Sequence, residues 1–347
     1  MPAPSLAWLT PTKLVAALSS PALAGDLCSD TDTPALVVDG NWADVPPQAE
    51  PGWFDTLRDQ PAVTVAVVRS SLGPGGALLA AGFDVLLVAD GVPAPDGAAP
   101  LPALDDLVGA VATHPRASLV LVQVLRAGAG GYAGLLTESL AYGLLQSGPE
   151  FATWLEGHER EEPPRRDRPP VRVDRDGDRL VVVLDGAEVR NAIDTEVRDA
   201  LVEAFTLVAT DPSVESVVLR GEGPSFSSGG ALWEFGTVPD PPTGHVVRST
   251  RLPGRALLRC APRLTARVHG PCVGAGVELP AFAATVEAAA DTTFRLPEVG
   301  MGLIPGAGGT VSLPRRIGRQ RTAFLALTGR EIDAPTALAW GLVDEVS

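Results

Sequence analysis

The stretch His269-Gly-Pro-Cys-Val-Gly-Ala-Gly-Val-Glu-Leu279 combines three glycines with one carboxylate. Glycine lets a backbone approach another group closely, because it has no side chain. The residues from Cys272 to Ala284 are mostly apolar and predict a Gly-rich turn that continues as an apolar helix. A glutamate in such a helix is unusual, since burying an unpaired carboxylate costs free energy. We therefore treat Glu278 as a candidate functional residue.

The segments on either side of this stretch alternate between strand and helix patterns. Val171–Val173 and Leu180–Leu184 flank an Asp-Gly turn, which predicts two paired strands. From Asp194 to Ala209 the apolar residues recur at helical spacing, with an aspartate in place to cap the helix. Ser216–Arg220 and Leu264–His269 predict further strands. This alternation predicts an α/β architecture with a largely parallel sheet.

The segment REEPPRRDRPP at residues 160–170 is charged and rich in proline, which predicts a linker. It divides the chain into a first unit at residues 33–159 and a second unit at residues 171–347. Residues 1–32 are predicted to be a poorly ordered lead-in or a weak first helix. The first unit has strand and helix patterns but no chemical motif.

The overall charge narrows the classes of partner. The 347 residues carry a formal net charge of -15, which argues against nucleic acid or an anionic membrane as a partner, because both need a basic surface. The 3 cysteines are odd in number and have no metal-binding spacing, so we expect a reduced, cytoplasmic protein without a metal site. No stretch is long and apolar enough to predict a transmembrane helix.

Two further Gly-rich segments extend the pattern of His269–Leu279. They are Pro224-Ser-Phe-Ser-Ser-Gly-Gly-Ala-Leu232 and Phe294-Arg-Leu-Pro-Glu-Val-Gly-Met-Gly-Leu-Ile-Pro-Gly-Ala-Gly-Gly-Thr310. In this order and spacing, the three segments resemble the enoyl-CoA hydratase/isomerase (crotonase) family, and Asn191 after Arg190 matches the Arg-Asn-Ala start of that family's first long helix. The resemblance implies a crotonase-like ββα superhelix, preceded here by a smaller, degenerate α/β unit.

The resemblance also implies a set of site residues. The backbone N–H groups of Gly230 and Ala275 would form an oxyanion hole for the thioester oxygen, each donor contributing about 3 kcal/mol. Glu278 and Glu298 would be the acid/base pair, one activating water and the other moving the proton at the α-carbon. Five neighbours in the same loops would contact the substrate: Ser228, Gly229, Ala231, Leu232 and Gly274.

Two features depart from the family pattern. Ala231 stands where the family usually has aspartate, and the family continues beyond the segment that matches Ala334–Val346. The helical patterns in Leu104–Glu159 resemble the missing C-terminal part, so we hypothesise a permuted arrangement in which the first unit packs as that cap. The alternatives are an eroded duplicate domain and a truncated sequence.

The predicted function is that of an enoyl-CoA hydratase-like lyase, which adds water to a 2-enoyl-CoA thioester. An enoyl-CoA isomerase is the alternative, and a non-catalytic acyl-CoA-binding or assembly subunit is an alternative of another class. The resemblance implies no metal or redox cofactor, because coenzyme A enters as part of the substrate. It also implies a homo-oligomer, a trimer or a hexamer.

Two other groups of residues are predicted to lie outside the chemistry. Gly306-Ala-Gly-Gly-Thr310 is expected to cap a helix beside the pocket, without a catalytic role. Four arginines recur along one predicted helix face, and a solvated face is favoured over contacts with coenzyme A phosphates: Arg248, Arg251, Arg255 and Arg259.

Overall fold

The chain divides into two compact units. The computed structural model describes residues 6–20, 33–47, 51–159 and 162–347. The first unit comprises Met1–Ala127 and Gly318–Thr328, and the second comprises Gly128–Ile317 and Gly329–Ser347. The boundary therefore differs from the predicted linker at residues 160–170, which lies within the second unit.

Ion pairing explains why the described part of the predicted linker belongs to the second unit. An Nη of Arg166 lies 2.6 Å from an Asp194 carboxylate oxygen and 3.0 Å from one of Glu196. The Arg166 side chain is only 9% exposed. A charged, proline-rich composition predicts an extended segment, but it cannot reveal that one of the charges is anchored on a folded surface.

The first unit is built on a five-stranded parallel sheet with its strands in chain order. The strands are β1 (Ala7–Leu9), β2 (Ala35–Gly40), β3 (Val63–Val68), β4 (Val85–Val88) and β5 (Ala99–Pro100). The helices are α1 (Pro11–Leu18), α2 (Pro51–Arg58), α3 (Gly73–Ala80), α4 (Leu104–Thr113) and α5 (Pro115–Ala127). Every residue of β3 is buried, as expected of a central strand covered on both faces.

The predicted lead-in is partly a structural element of this unit. Leu14 and Leu18 of α1 are buried in the same apolar core as Trp42 and Phe83. Of the two alternatives predicted for this segment, the short first helix is the one that forms at Pro11–Leu18, because it buries its apolar face. The remaining residues of the predicted lead-in, 1–5 and 21–32, lie outside the described residues.

A cluster of ion pairs around a buried aspartate stabilises the first unit. Asp84 is fully buried and accepts hydrogen bonds from the backbone N–H and the hydroxyl of Thr64. Its carboxylate also pairs with Arg126 at 2.6 Å and with Arg319 at 3.0 Å. Two guanidinium groups thus share one carboxylate as their counter-charge.

Within the described ranges, no single helix is long and apolar enough to cross a membrane. Leu101–Thr113 and Pro115–Ala127 reach that length and hydropathy only when they are taken together, and this pair is bent by 107°.

The second unit contains a six-stranded and a three-stranded sheet. Its strands are β6 (Val171–Asp176), β7 (Arg179–Leu184), β8 (Ser216–Gly221), β9 (Leu264–Val268), β10 (Pro271–Val273), β11 (Thr285–Ala288), β12 (Thr293–Arg295), β13 (Ile332–Asp333) and β14 (Glu345–Val346). The larger sheet has the order β14-β11-β9-β8-β7-β6 and the smaller one β10-β12-β13. Among the strand pairs that the structure describes in this unit, only β6–β7 and β12–β13 are antiparallel. The predicted α/β class is confirmed.

The helices of this unit come from both sides of residues 160–170. They are α6 (Gly131–Gln146), α7 (Pro149–Gly157), α8 (Thr195–Thr210), α9 (Pro241–Arg251), α10 (Pro253–Cys260), α11 (Ala275–Glu278), the first part of α12 (Gly309–Thr328) and α13 (Ala334–Trp340). Helix α12 is interrupted at Gly318, where φ is 79° and ψ is 162°, and the residues after the break belong to the first unit. As predicted, Asp194 caps α8, accepting the N–H of Val197 at 3.0 Å.

We expect Asp84→Asn to lower the free energy of unfolding by about 3–5 kcal/mol, because it leaves the largely covered guanidinium groups of Arg126 and Arg319 without their counter-charge. Chemical denaturation followed by circular dichroism measures the change. Asp39→Asn is the matched control, since the guanidinium of its partner Arg69 is 54% exposed and such pairs contribute only about 0–1 kcal/mol. Equal effects of the two substitutions would contradict the assignment.

Candidate active site

Strand register brings the three Gly-rich segments together. In the parallel pair β10–β12, Val273 lies beside Arg295, and the N–H of Gly274 donates to the Arg295 carbonyl at 2.9 Å. The first of the three segments, Pro224–Leu232, is called the first loop below. It joins the other two through a bridge between Ser227 and Cys272. Because parallel strands end at the same edge, the residues that follow each strand converge there.

The two predicted oxyanion donors lie on adjacent loops. A Cβ added to Gly229, whose φ is 87°, would lie 2.6 Å from the Val273 carbonyl oxygen and 3.5 Å from the Ala275 nitrogen. Only glycine tolerates both this conformation and this approach. Within the described part of the chain, the N–H groups of Gly230 and Ala275 have no acceptor. Both residues line one cavity of about 220 Å³.

The first loop is held without the aspartate usual in the family. Asn191 has a φ of 53°, and its side chain donates to the Glu222 and Ser225 carbonyls and accepts the N–H of Gly186. The Ser227 hydroxyl then donates to the Asn191 carbonyl and accepts the N–H of Gly229.

At the position of that aspartate, Ala231 is 2% exposed and packs with Ala192 and Trp233. An apolar cluster therefore occupies the place of a polar contact. The order of the loop depends on the hydrogen bonds around Asn191 instead.

Glu278 ends a helix that is shorter than predicted. Helix α11 has one turn, and a 3-10 turn begins at Pro280, so the expected apolar helix to Ala284 does not form. The side chain of Glu278 is buried, and its Oε2 accepts the N–H groups of Ala307 and Gly309, each at 2.7 Å. Burial raises the pKa of Glu278 to about 7, and these hydrogen bonds oppose the rise.

Glu298 lines the same cavity from a 3-10 turn after β12. It is 8% exposed, and its Oε2 has no hydrogen-bond partner among the described residues. Burial, and then the charge of Glu278, raise the pKa of Glu298 well above its usual range. A carboxyl group with an unsatisfied oxygen on a cavity wall is available to a ligand.

A third buried carboxyl group, Glu138 on α6, was not predicted. Its Oε1 accepts the N–H of Gly308 at 2.7 Å, and its Oε2 accepts the N–H of Thr310 at 2.8 Å and that residue's hydroxyl at 2.7 Å. Burial, and then the charge of Glu278, raise the pKa of Glu138 to about 8. The signal was present in the sequence, because Glu138 falls on the same helix face as Leu135 and Tyr142.

The loop Gly306–Thr310 therefore belongs to the site. Its N–H groups alternate between two carboxylates, with residues 307 and 309 on Glu278 and residues 308 and 310 on Glu138. The prediction that the loop only caps a helix missed this alternation. A Cβ added to Gly309 would lie 2.7 Å from Glu278 Oε2, so a glycine is needed at that contact.

The structure brings part of the predicted set onto the cavity wall. Gly230, Ala231, Ala275, Glu278 and Glu298 line it, together with the apolar side chains of Ile193, Phe235, Leu252 and Leu279. The other residues predicted to contact the substrate do not line this cavity: Ser228, Gly229, Leu232 and Gly274. Of these, Gly229 and Gly274 are buried behind it and permit the close packing of the two loops and of Glu298.

The four arginines do not share one environment. Arg251, Arg255 and Arg259 are exposed as predicted. Arg248 is half-buried and lines the cavity beside Tyr142. The prediction of a solvated face is wrong for Arg248, because α6 packs against α9 and covers its side chain. That packing joins residues more than a hundred positions apart in the chain, so spacing alone could not reveal it.

Comparison with known proteins agrees with this geometry. Residues 179–347 match the family model described as enoyl-CoA hydratase/isomerase. The chain is 32% identical over 167 residues to mevalonyl-coenzyme A hydratase sidH of Aspergillus fumigatus, covering 48% of this chain and 62% of that protein. It is 30% identical over 178 residues to "Probable enoyl-CoA hydratase echA8" of Mycobacterium tuberculosis, covering 51% of this chain and 68% of that protein.

Among solved structures, the enoyl-CoA hydratase of Thermoplasma volcanium aligns with 52% of this chain and 72% of its own, at 31% identity and a TM-score of 0.47. The chain spans less than two thirds of the length of the Aspergillus protein. The family model matches the C-terminal half of the chain, which lies in the second unit except for Gly318–Thr328, and the N-terminal region is a separate α/β unit. From the identity and coverage of the mycobacterial relative, together with the family-model match, this chain belongs to the enoyl-CoA hydratase/isomerase family.

Proposed function

We propose that the second unit is a carbon–oxygen lyase that adds water to 2-enoyl-CoA thioesters. One observation carries the proposal. Two buried carboxyl groups, Glu278 and Glu298, line the same cavity as two backbone N–H groups, of Gly230 and Ala275, that have no acceptor in the described chain. Hydration of an enoyl thioester needs both kinds of group, donors that stabilise the enolate oxygen and carboxyl groups that transfer protons.

The N–H groups would form the oxyanion hole. Attack of water at the β-carbon moves negative charge onto the thioester oxygen, and donors already aimed at that oxygen stabilise the resulting enolate. The Ala275 N–H is the first of α11, so no carbonyl within that turn can accept it. Backbone donors cannot rotate away and need no reorganisation.

The two carboxyl groups would divide the proton chemistry. Both hydrogen bonds to Glu278 fall on Oε2, which leaves Oε1 for a water or a substrate atom. With a pKa of about 7, Glu278 can act as the base. Burial and the charge of Glu278 raise the pKa of Glu298 well above its usual range, so Glu298 can hold a proton and supply it to the α-carbon. Two neighbouring carboxyl groups with separated pKa values suit an acid and a base.

An isomerase is the second candidate, because shifting a double bond needs one carboxylate to carry one proton. The presence of both carboxyl groups on the cavity wall favours hydration, and the two relatives above are both named as hydratases. The proposal requires no metal or redox cofactor, since coenzyme A is part of the substrate.

We also propose a cytoplasmic homo-oligomer, a trimer or a hexamer. Leu140 and Leu144 lie one turn apart on α6 and are 60% and 64% exposed. Exposed apolar residues grouped on one helix face suit contact with another subunit.

We expect Glu278→Gln and Glu298→Gln each to lower kcat for the hydration of crotonyl-CoA by roughly a hundred- to ten-thousandfold, since each removes a group that transfers a proton. Loss of the enoyl thioester absorbance measures the rate. Glu215→Gln, on an exposed side chain, is the matched control. Unchanged turnover in both site variants would refute the mechanism.

The pH dependence provides a second test. As the pH falls through about 7, Glu278 gains a proton and can no longer act as a base, so kcat/KM should fall. At higher pH Glu298 loses its proton, and kcat/KM should fall again. The profile with crotonyl-CoA should be bell-shaped, with its acid limb near pH 7. Circular dichroism at each pH separates this limb from unfolding, and a limb near the usual glutamate pKa would contradict the assignment.

Glu138 is proposed as a positioning residue, which acts through the loop that holds Glu278. Glu138→Gln removes a negative charge that raises the pKa of Glu298, so the alkaline limb of the profile should move to lower pH. It also weakens the hold on Gly308 and Thr310, so kcat should fall. Glu156→Gln, exposed on α7, is the control. A lower kcat with an unmoved alkaline limb would indicate only loss of structure.

A further inference from the structure

The cavity contains a cation without a counter-charge. Two arginines line it, Arg198 and Arg248. Arg198 pairs with the Asp199 carboxylate at 2.8 Å. Within the described ranges, no carboxylate oxygen lies within 4.0 Å of the Arg248 guanidinium. The two arginines therefore differ, because only Arg248 has its charge available to a ligand.

Neutral groups hold Arg248 in place. Its Nε donates to the Ser139 hydroxyl at 3.1 Å, and its two terminal nitrogens donate to the Gln146 side-chain oxygen at 3.1 Å and to the Ser139 carbonyl at 3.3 Å. The guanidinium lies over the Tyr142 ring, 4.6 Å from its centroid. A guanidinium has five N–H donors, so these contacts leave two for a ligand.

The electrostatics favour an anion at this position. Burial lowers the pKa of Arg248, because removing the charged guanidinium from water destabilises it when no carboxylate pairs with it. The carboxyl group that opposes this effect, Glu138, has both oxygens bound to Gly308 and Thr310. A ligand carboxylate would supply the missing charge and accept both remaining donors, the pairing for which the planar guanidinium is suited.

The position of Arg248 on the cavity wall would place it beside the acyl part of a bound thioester. A Cβ added to Gly306 would lie 2.5 Å from the Tyr142 ring, so this ring packs directly on the loop that holds Glu278. The Arg248 guanidinium stacks over the same Tyr142 ring, and Arg248 lines the cavity together with the apolar side chains of Phe235 and Leu252. Methylene groups that begin at the carboxyl pair would lie against this wall and end near the guanidinium.

We propose that Arg248 binds a carboxylate at the far end of the acyl group, so that the preferred substrates are 2-enoyl-CoA thioesters of dicarboxylic acids. The inference rests on the proposed hydratase function and specifies its substrate class. Coenzyme A phosphates are the competing anion, and the experiment separates them.

The test compares substrates of equal length that differ only in the terminal group. The kcat/KM for trans-2-hexenedioyl-CoA is divided by that for trans-2-hexenoyl-CoA, and glutaconyl-CoA is paired with trans-2-pentenoyl-CoA in the same way. In the wild type, at least one ratio should exceed one. Arg248→Gln should lower that ratio by roughly ten- to a hundredfold, the effect of losing a hydrogen bond to a charged group. Arg248→Lys should give an intermediate ratio, because lysine keeps the positive charge but lacks the two parallel N–H donors that a guanidinium offers to a carboxylate.

The chain offers a matched control. Arg255 stacks on Tyr132, 5.0 Å from the ring centroid, and so joins α10 to α6 as Arg248 joins α9 to α6. Arg255 is exposed and does not line the cavity. Arg255→Gln should leave the ratios unchanged, and thermal unfolding of all the variants reports any loss of structure.

Binding separates failure of this inference from failure of the proposed function. Calorimetry with adipoyl-CoA and hexanoyl-CoA needs no turnover, and the wild type should bind the first more tightly while Arg248→Gln loses the difference. If Arg248→Gln weakens both thioesters and coenzyme A itself equally, the arginine contacts a phosphate and the inference is overturned. Equal ratios in the wild type and Arg248→Gln also overturn it. Tight adipoyl-CoA binding without hydration of any enoyl thioester would refute the hydratase but support the carboxylate subsite.

Discussion

The site depends on one arrangement, the alternating donation of four successive N–H groups at residues 307–310 to two buried carboxylates. A buried carboxylate without partners is costly, and each hydrogen bond to a charged group recovers about 1.5–3 kcal/mol. Glu278 is thereby oriented by the same loop that Glu138 fixes from α6. Neither carboxylate can shift without breaking hydrogen bonds that the loop needs, so three segments distant in the sequence hold one another.

Burial and hydrogen bonding act in opposite directions on these groups. Desolvation raises the pKa values of Glu138, Glu278 and Glu298, whereas the loop N–H groups lower those of the first two. Mutual repulsion adds to the rise, since ionising one carboxyl group hinders its neighbours. Glu298 has no such donor on Oε2 among the described residues, so none at that atom opposes the rise in its pKa that burial and the charge of Glu278 cause. This difference in hydrogen bonding lets two identical side chains serve as acid and base.

Helix α6 contributes more than support. It carries Glu138 to the loop, Tyr142 and Gln146 to the cavity wall, and Ser139 to Arg248. Without α6 the cavity would lack the groups that hold its unpaired cation. The second unit is thus assembled from chain on both sides of residues 160–170, and the segment before them carries both structural and chemical roles.

The sequence alone determined the family and the five cavity residues through the resemblance that three short Gly-rich segments carry: Gly230, Ala231, Ala275, Glu278 and Glu298. It determined the α/β class through the alternation of strand and helix patterns. It also determined the cap of α8 at Asp194, a contact between residues three apart. Only the tertiary structure decided the roles of Glu138 and Arg248, since their partners lie more than a hundred residues away. It likewise decided that the unit boundary follows Ala127, because helix packing and the Arg166 ion pair outweigh a linker-like composition. Local patterns report what a segment can form, whereas burial and charge pairing depend on what folds against it.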